Sequence, residues 1–230
     1  MAAVLELKAN GVASAVLKDG VPLTLQVSIT SSDATLVNLG APLSPWWEKV
    51  AVYGADGRQL FWPFDVLARR PASNEVILSP GDVAELELGC APEELETVRV
   101  GNYEVNVHLS APGGSALATS NNVRIDIVGQ PLSDGEAGDP AHLATMATFL
   151  TKRGRYIEAR AAIDKLVSTE GATAPHLLQM AALQDQLGDT AGAIQTYEHA
   201  EARYWKDNPD AYEGPEIIAT HILRLRRAAT

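Results

Sequence analysis

The feature that most constrains this 230-residue chain is a change in the spacing of its apolar residues. Up to residue 128 the apolar positions recur every second residue, and from residue 139 they recur at intervals of three and four. A strand sends alternate side chains to opposite faces, whereas a helix gathers i, i+3, i+4 and i+7 on one face. One type of element therefore cannot serve both halves. In the first half Leu23-Thr24-Leu25-Gln26-Val27-Ser28-Ile29 alternates apolar and polar, as does Tyr103-Glu104-Val105-Asn106-Val107-His108-Leu109. Val50-Ala51-Val52-Tyr53 runs into Gly54-Ala55-Asp56-Gly57, and Asp-Gly is a strong hairpin signal. Val76-Ile77-Leu78 meets a Pro80-Gly81 turn before Val83–Leu88, and Val123–Ile127 reads as the last strand. Seven or more short strands at regular turn spacing predict a β-sandwich over residues 1–128.

Residues 129–138, rich in Gly, Pro and Ser, carry no periodic apolar pattern and read as a linker. Asp139-Pro140 then has the form of a helix start, a capping carboxylate followed by proline in the first turn. Leu143, Met146, Ala147 and Leu150 follow at helical spacing. The same pattern returns 34 residues later, pairing Leu143 with Leu177, Met146 with Met180, Ala147 with Ala181, Gly154 with Gly188, Ala159 with Ala193 and Ile163 with Tyr197. A fixed offset over so many positions is an internal repeat. Residues 214–228 read as a terminal helix burying Ile217, Ile218, His221, Ile222 and Leu225, with Arg224, Arg226 and Arg227 near its C-terminal end.

Both halves resemble known families. Asp19-Gly20-Val21-Pro22-Leu23, Leu78-Ser79-Pro80-Gly81-Asp82, Val100-Gly101-Asn102-Tyr103-Glu104-Val105 and Ser120-Asn121-Asn122-Val123 give the first half a resemblance to bacterial immunoglobulin-like or fibronectin-like domains. Tyr103 looks like a tyrosine corner, while the antibody-type disulfide is missing. Gly154 and Gly188, Ala159 and Ala193, and Tyr197 with Ala200 resemble positions of the tetratricopeptide repeat, over about two repeats in residues 141–208. The expected fold class is thus two domains, all-β then all-α: an immunoglobulin-like β-sandwich (1–128), a linker (129–138), and a tetratricopeptide-like helical repeat with a terminal helix (139–230).

Charge and motifs narrow the function. The chain holds 18 Lys+Arg against 29 Asp+Glu, a net −11. Residues 1–130 contribute 8 − 15 = −7 and residues 131–230 contribute 10 − 14 = −4, so neither half is a basic module. Such a chain repels phosphate backbones, and no nucleic-acid partner is expected. No apolar run has the length of a membrane span, so no membrane insertion is expected. Cys90 is the only cysteine, and Glu93, Glu94 and Glu96 beside it would raise its pKa rather than activate it. His108, His142, His176, His199 and His221 show no metal-ligand spacing, and there is no phosphate loop or nucleophile elbow. The expectation is no catalytic residue, no cofactor and no metal. Met1–Leu7 lacks the form of a signal peptide. The location is then cytoplasmic, or periplasmic or otherwise extracytoplasmic if Met1 replaces a removed signal.

The unusual composition is aromatic. Three of the four tryptophans and two of the three phenylalanines lie in residues 46–64, in Trp46-Trp47 and Phe61-Trp62-Pro63-Phe64, with Arg69 and Arg70 close behind. Trp and Arg are enriched where proteins bind one another. Trp47 and Phe61 have the alternative of filling the core. Neighbours in an extended strand face opposite ways, so each aromatic pair must send one ring out of the core. Trp46, Trp47, Phe61, Trp62, Phe64, Arg69 and Arg70 are therefore candidates for a partner surface. A second candidate is a groove on the first helices of the repeats, lined by Ala144, Thr148, Lys152, Leu178 and Ala182. Peptide-carboxylate binders of the tetratricopeptide family place Lys and Asn there, and of these only Lys152 is present. The resemblances imply a non-enzymatic adaptor or scaffold that contacts another protein. The alternatives are a sandwich binding carbohydrate or another small ligand through Trp46, Trp47, Trp62 and Arg69, and a proteinase-inhibitor-like sandwich presenting residues 63–75.

Overall fold

In the computed structural model, residues 3–39, 50–73, 75–110, 116–168, 172–210 and 216–228 are described. The chain divides into two compact units, Met1–Leu132 and Ser133–Thr230. Among the described residues helix and strand take nearly equal shares, about 39% and 36%. The molecule is accordingly mixed α and β.

The first unit holds strands β1 (Ala3–Ala9), β2 (Ser14–Asp19), β3 (Leu23–Ser31), β4 (Thr35–Asn38), β5 (Val50–Gly54), β6 (Gln59–Leu60), β7 (Asp65–Arg70), β8 (Glu75–Leu78), β9 (Val83–Cys90), β10 (Gly101–Ser110), β11 (Ala116–Thr119) and β12 (Val123–Pro131), with a one-turn helix α1 (Pro92–Leu95). They form three sheets. One is four-stranded in the order β1-β3-β9-β7, one six-stranded in the order β2-β12-β10-β5-β6 with β11 on β10, and one a β4-β8 ribbon. Strand β2 pairs parallel to β12, with Ile125 opposite Ala15.

This corrects the expected fold class. In place of an all-β immunoglobulin-like sandwich of two antiparallel sheets, the described residues form three sheets, a parallel edge pair and a helical turn within a mixed α/β chain. The physical reason is that alternation marks a strand but not its partner or direction. Where the alternation is strong it does set burial: β3 reads buried at every odd residue from Leu23 to Ser31. Of these, Leu23, Leu25, Val27 and Ile29 join Leu5, Leu7, Leu86, Leu88, Val105, Val107 and Ile125 in one core.

In the second unit α2 (Asp134–Ala137) precedes α3 (Pro140–Lys152), α4 (Tyr156–Val167), α5 (Ala174–Gln186), α6 (Thr190–Asp207) and α7 (Glu216–Ala228). The starts of α3 and α5, and of α4 and α6, lie 34 residues apart. Asp139 caps α3 by accepting the Ala141 and His142 N–H groups at 3.0 and 3.1 Å. Gly154 and Gly188 carry φ of +73° and +80° in the two turns, which side chains with a Cβ resist. Residues 129–138 are more structured than a linker: β12 runs on through Pro131, and Ser133 and Glu136 cap each other's backbone around α2. On α7 the buried stripe is Ile218, Ile222 and Leu225, while Ile217 faces outward. Two of the arginines expected to face the helix C-terminus form ion pairs instead, Arg224 with Asp185 and Arg226 with Glu198.

Candidate functional site

The aromatic segment is placed by the hairpin before it. Gly57 N–H donates to Gly54 O at 2.9 Å, and Gly54 N–H to Arg58 O at 3.0 Å. With Gly57 at φ +75°, the loop is three residues, Ala55–Gly57, rather than a two-residue Asp-Gly turn. Val52 then faces Leu60 across the ladder. Directly opposed residues share a face, and Val52 is fully buried. Continuing the chain, Phe61 points out at 73% exposure, Trp62 points in at 2%, and Phe64 points in at 4%.

Trp62 is thus a core residue. Its ring meets Tyr103 edge-on, with centroids 5.0 Å apart at 65°, and lies 6.4 Å from Phe64. The Tyr103 hydroxyl donates to the Arg99 carbonyl at 2.5 Å. Burial pushes this phenol above its ordinary 10.0, with Arg99 pulling the other way. Trp62 and Phe64 are therefore withdrawn from the partner surface, because the hairpin register turns both into the core. Trp46 and Trp47 lie outside the described residues.

Phe61 shares its place with residues not anticipated from the sequence. It borders a hollow of about 590 Å³ with Arg58, Leu60, Val98, Arg99 and Val100, and Trp62 and Tyr103 also line it. Val100 is 65% exposed. It lies so close to Gly129, at φ +56°, that a Cβ there would come within 2.3 Å of Val100 Cγ2. Arg58 is pinned by its N–H donating to Asp56 Oδ1 at 3.0 Å. The sequence signal for Val100 and Arg99 is slight: both fall between α1 and β10, where no periodic pattern runs.

Arg69 and Arg70 do not line this hollow. They sit on β7, in an open trough of about 570 Å³ over the four-stranded sheet, among Glu6, Lys8, Glu85 and Glu87. Lys8 pairs with Glu6 at 3.1 Å and Arg70 with Glu85 at 4.0 Å, both exposed pairs of small energetic value. The trough is a solvated sheet face with alternating charge.

The helical groove is only partly open. Thr148 Oγ1 accepts from Gln179 Nε2 at 3.3 Å, joining α3 to α5. Leu178 packs on the core of Ala181, Tyr197 and Ile218. Ala144 is half-buried, and Thr148, Lys152 and Ala182 are exposed. Nearby, Tyr197 stacks on His221, with centroids 5.2 Å apart and planes within 1°. Burial and then Asp185 raise the Tyr197 phenol, while Arg224 opposes them. Among the described residues no three or more His, Cys, Asp or Glu side chains converge as a metal site. His176 serves the backbone, its Nδ1 accepting the Thr173 N–H at 3.2 Å. Among the described residues, no helix is long and apolar enough to cross a membrane.

No protein-family model matches the chain, and no curated protein matches it. Among solved structures it is similar to a family 123 glycoside hydrolase from Clostridium perfringens, from a study of glycolipid glycan hydrolysis, at 8% identity and a TM-score of 0.33. The match covers 70% of this chain and 35% of that one. At that TM-score the likeness carries no argument about fold or activity.

Proposed function

We propose that the chain is a protein–protein interaction module, an adaptor or scaffold rather than an enzyme, and that the hollow beside Phe61 is its contact surface. The observation that carries this reading is the pairing of Phe61 and Val100 on one rim, at 73% and 65% exposure. Large apolar side chains gathered at one exposed spot leave water when a partner covers them, and such patches mark interfaces. The carbohydrate reading loses support, since Trp62 lies in the core and has no face to offer a sugar ring.

The test is a double substitution, Phe61→Ser with Val100→Ser, against affinity capture from source cells. The captured protein is identified by mass spectrometry and re-bound in purified form. The expected result is an unchanged melting midpoint with loss of re-binding. Unimpaired re-binding refutes the assignment of this surface.

A further inference from the structure

The hollow beside Phe61 has a charge as well as an apolar rim, and that charge opposes the rest of the molecule. Against a net −11 for the chain, its rim carries two guanidinium groups, Arg58 and Arg99, both exposed. Among the described residues neither guanidinium has an ion-pair partner. Among the described residues lining the hollow one carboxylate, Asp56, is present, and it accepts the Arg58 backbone N–H, which leaves two cations against one anion. Elsewhere among the described residues of this unit three cations form ion pairs: Arg124 with Asp126 at 2.8 Å, Lys8 with Glu6 and Arg70 with Glu85.

Both arginines also spring from fixed backbone. The Arg58 carbonyl accepts the Gly54 N–H at 3.0 Å while its own N–H is held by Asp56. The Arg99 carbonyl accepts the Tyr103 hydroxyl at 2.5 Å. Fixing the base of a flexible side chain lowers the entropy lost when it engages a partner. At physiological salt, fields are screened beyond about 8 Å. Preference at the rim is therefore set by these two cations against the single Asp56 carboxylate, a positive balance, and not by the distant acidic surface.

On the reading that this hollow is the contact surface, we infer that its occupant is an acidic protein segment. It presents one apolar anchor against Phe61 and Val100, flanked by Asp or Glu carboxylates that meet Arg58 and Arg99. Guanidinium groups take carboxylates through paired N–H donors. Nucleic acid shares the anionic chemistry. It is disfavoured because a duplex or strand spans many phosphates and would run from two arginines onto a surface whose unit carries 8 − 15 = −7 over residues 1–130.

The experiment uses the full chain and three sets of fluorescein-labelled dodecapeptides, read by polarisation at 0.15 M salt. Each peptide has one Phe or Leu anchor, with flanking positions all Asp/Glu, all Gln or all Lys. Single-stranded DNA and phosphatidylserine vesicles are measured alongside. The acidic set is expected to bind at least tenfold tighter than the Gln set, with the Lys set weakest. Arg58→Glu with Arg99→Glu should reverse that order, and Phe61→Ser should abolish binding of every set; circular dichroism checks that each variant is folded. Equal binding of acidic and Gln peptides, still lost in Phe61→Ser, overturns the acidic partner and leaves the contact surface standing. Binding untouched by Phe61→Ser removes both. Absence of binding by all peptides, or tighter binding of DNA or vesicles, overturns the inference.

Discussion

Trp62→Ala provides the sharpest test of the register that separates core from surface. Trp62 is 2% exposed, and its ring is in contact with Tyr103 and Phe64. A buried aromatic removes about 150–250 Å² from water, which at about 25 cal/mol per Å² is about 4–6 kcal/mol. Part of that area is already covered in the unfolded chain, while truncation leaves a cavity that costs more. Measured Phe or Trp to Ala changes in cores fall at about 3–5 kcal/mol. A loss near 4 kcal/mol is expected, a large fraction of the roughly 5–15 kcal/mol that holds a domain. The neighbouring Phe61→Ala removes a ring that is 73% exposed and should cost far less, about 1 kcal/mol or below. Urea unfolding of wild type and both variants, followed by far-UV circular dichroism, gives the difference directly. Equal costs for the two variants, or a Trp62→Ala cost below about 1 kcal/mol, would refute the Val52–Leu60 register and the argument built on it.

Three further outcomes follow from the same region and from the helical unit. Tyr103→Phe leaves the Arg99 carbonyl without its donor and should lower stability by about 1–3 kcal/mol in the same urea assay. Gly129→Ala forces a Cβ into the left-handed region against Val100 Cγ2; the expected cost is about 1–2 kcal/mol, read by thermal melting, with weakened partner binding because Val100 is displaced. The Tyr103 and Tyr197 phenols are both raised by burial, so above the ordinary 10.0 the unfolded chain has lost protons that the folded chain keeps. Their stabilising contribution is therefore complete below pH 10 and fades as pH rises through the folded values. Absorbance at 295 nm should show Tyr103 and Tyr197 titrating above the ordinary value, the first signal vanishing in Tyr103→Phe and the second in Tyr197→Phe.

The sequence was legible where one physical rule acts without a competitor. Strand β3 alternates without interruption, and its burial follows residue by residue. The helices begin at the 34-residue offset because each pair has a comparable turn and glycine. Legibility failed where a rule leaves a choice open. Sheet assignment depends on partners far along the chain, so β2 beside β12 in parallel and the separate β4-β8 ribbon were not read, and the expected sandwich was wrong. Ile217 failed for a smaller reason: it adjoins Ile218, and only one of two adjacent helical residues can lie at the centre of a buried stripe.

The aromatic segment shows how one residue of loop length decides a functional surface. A two-residue turn at Asp56-Gly57 would oppose Ala55 to Arg58, and hence Val52 to Phe61. Phe61 would then share the buried face of Val52, and Trp62 would stand in water. The loop has three residues, because Gly57 at positive φ lets Gly54 close directly on Arg58. Val52 therefore opposes Leu60, and every side chain after it changes face. The alternation rule correctly required one ring of the Phe61–Trp62 pair to leave the core, but it had no phase. The phase came from the glycine. The same closure fixes the Arg58 backbone at the rim where Phe61 emerges. Arg69 and Arg70 follow the aromatic run closely in sequence, yet β7 carries them onto the four-stranded sheet. The cations beside Phe61 are instead Arg58 from the hairpin loop and Arg99 from the turn before β10. Neither stands out in the sequence, since it is pairing of β10 with β5 that brings them together.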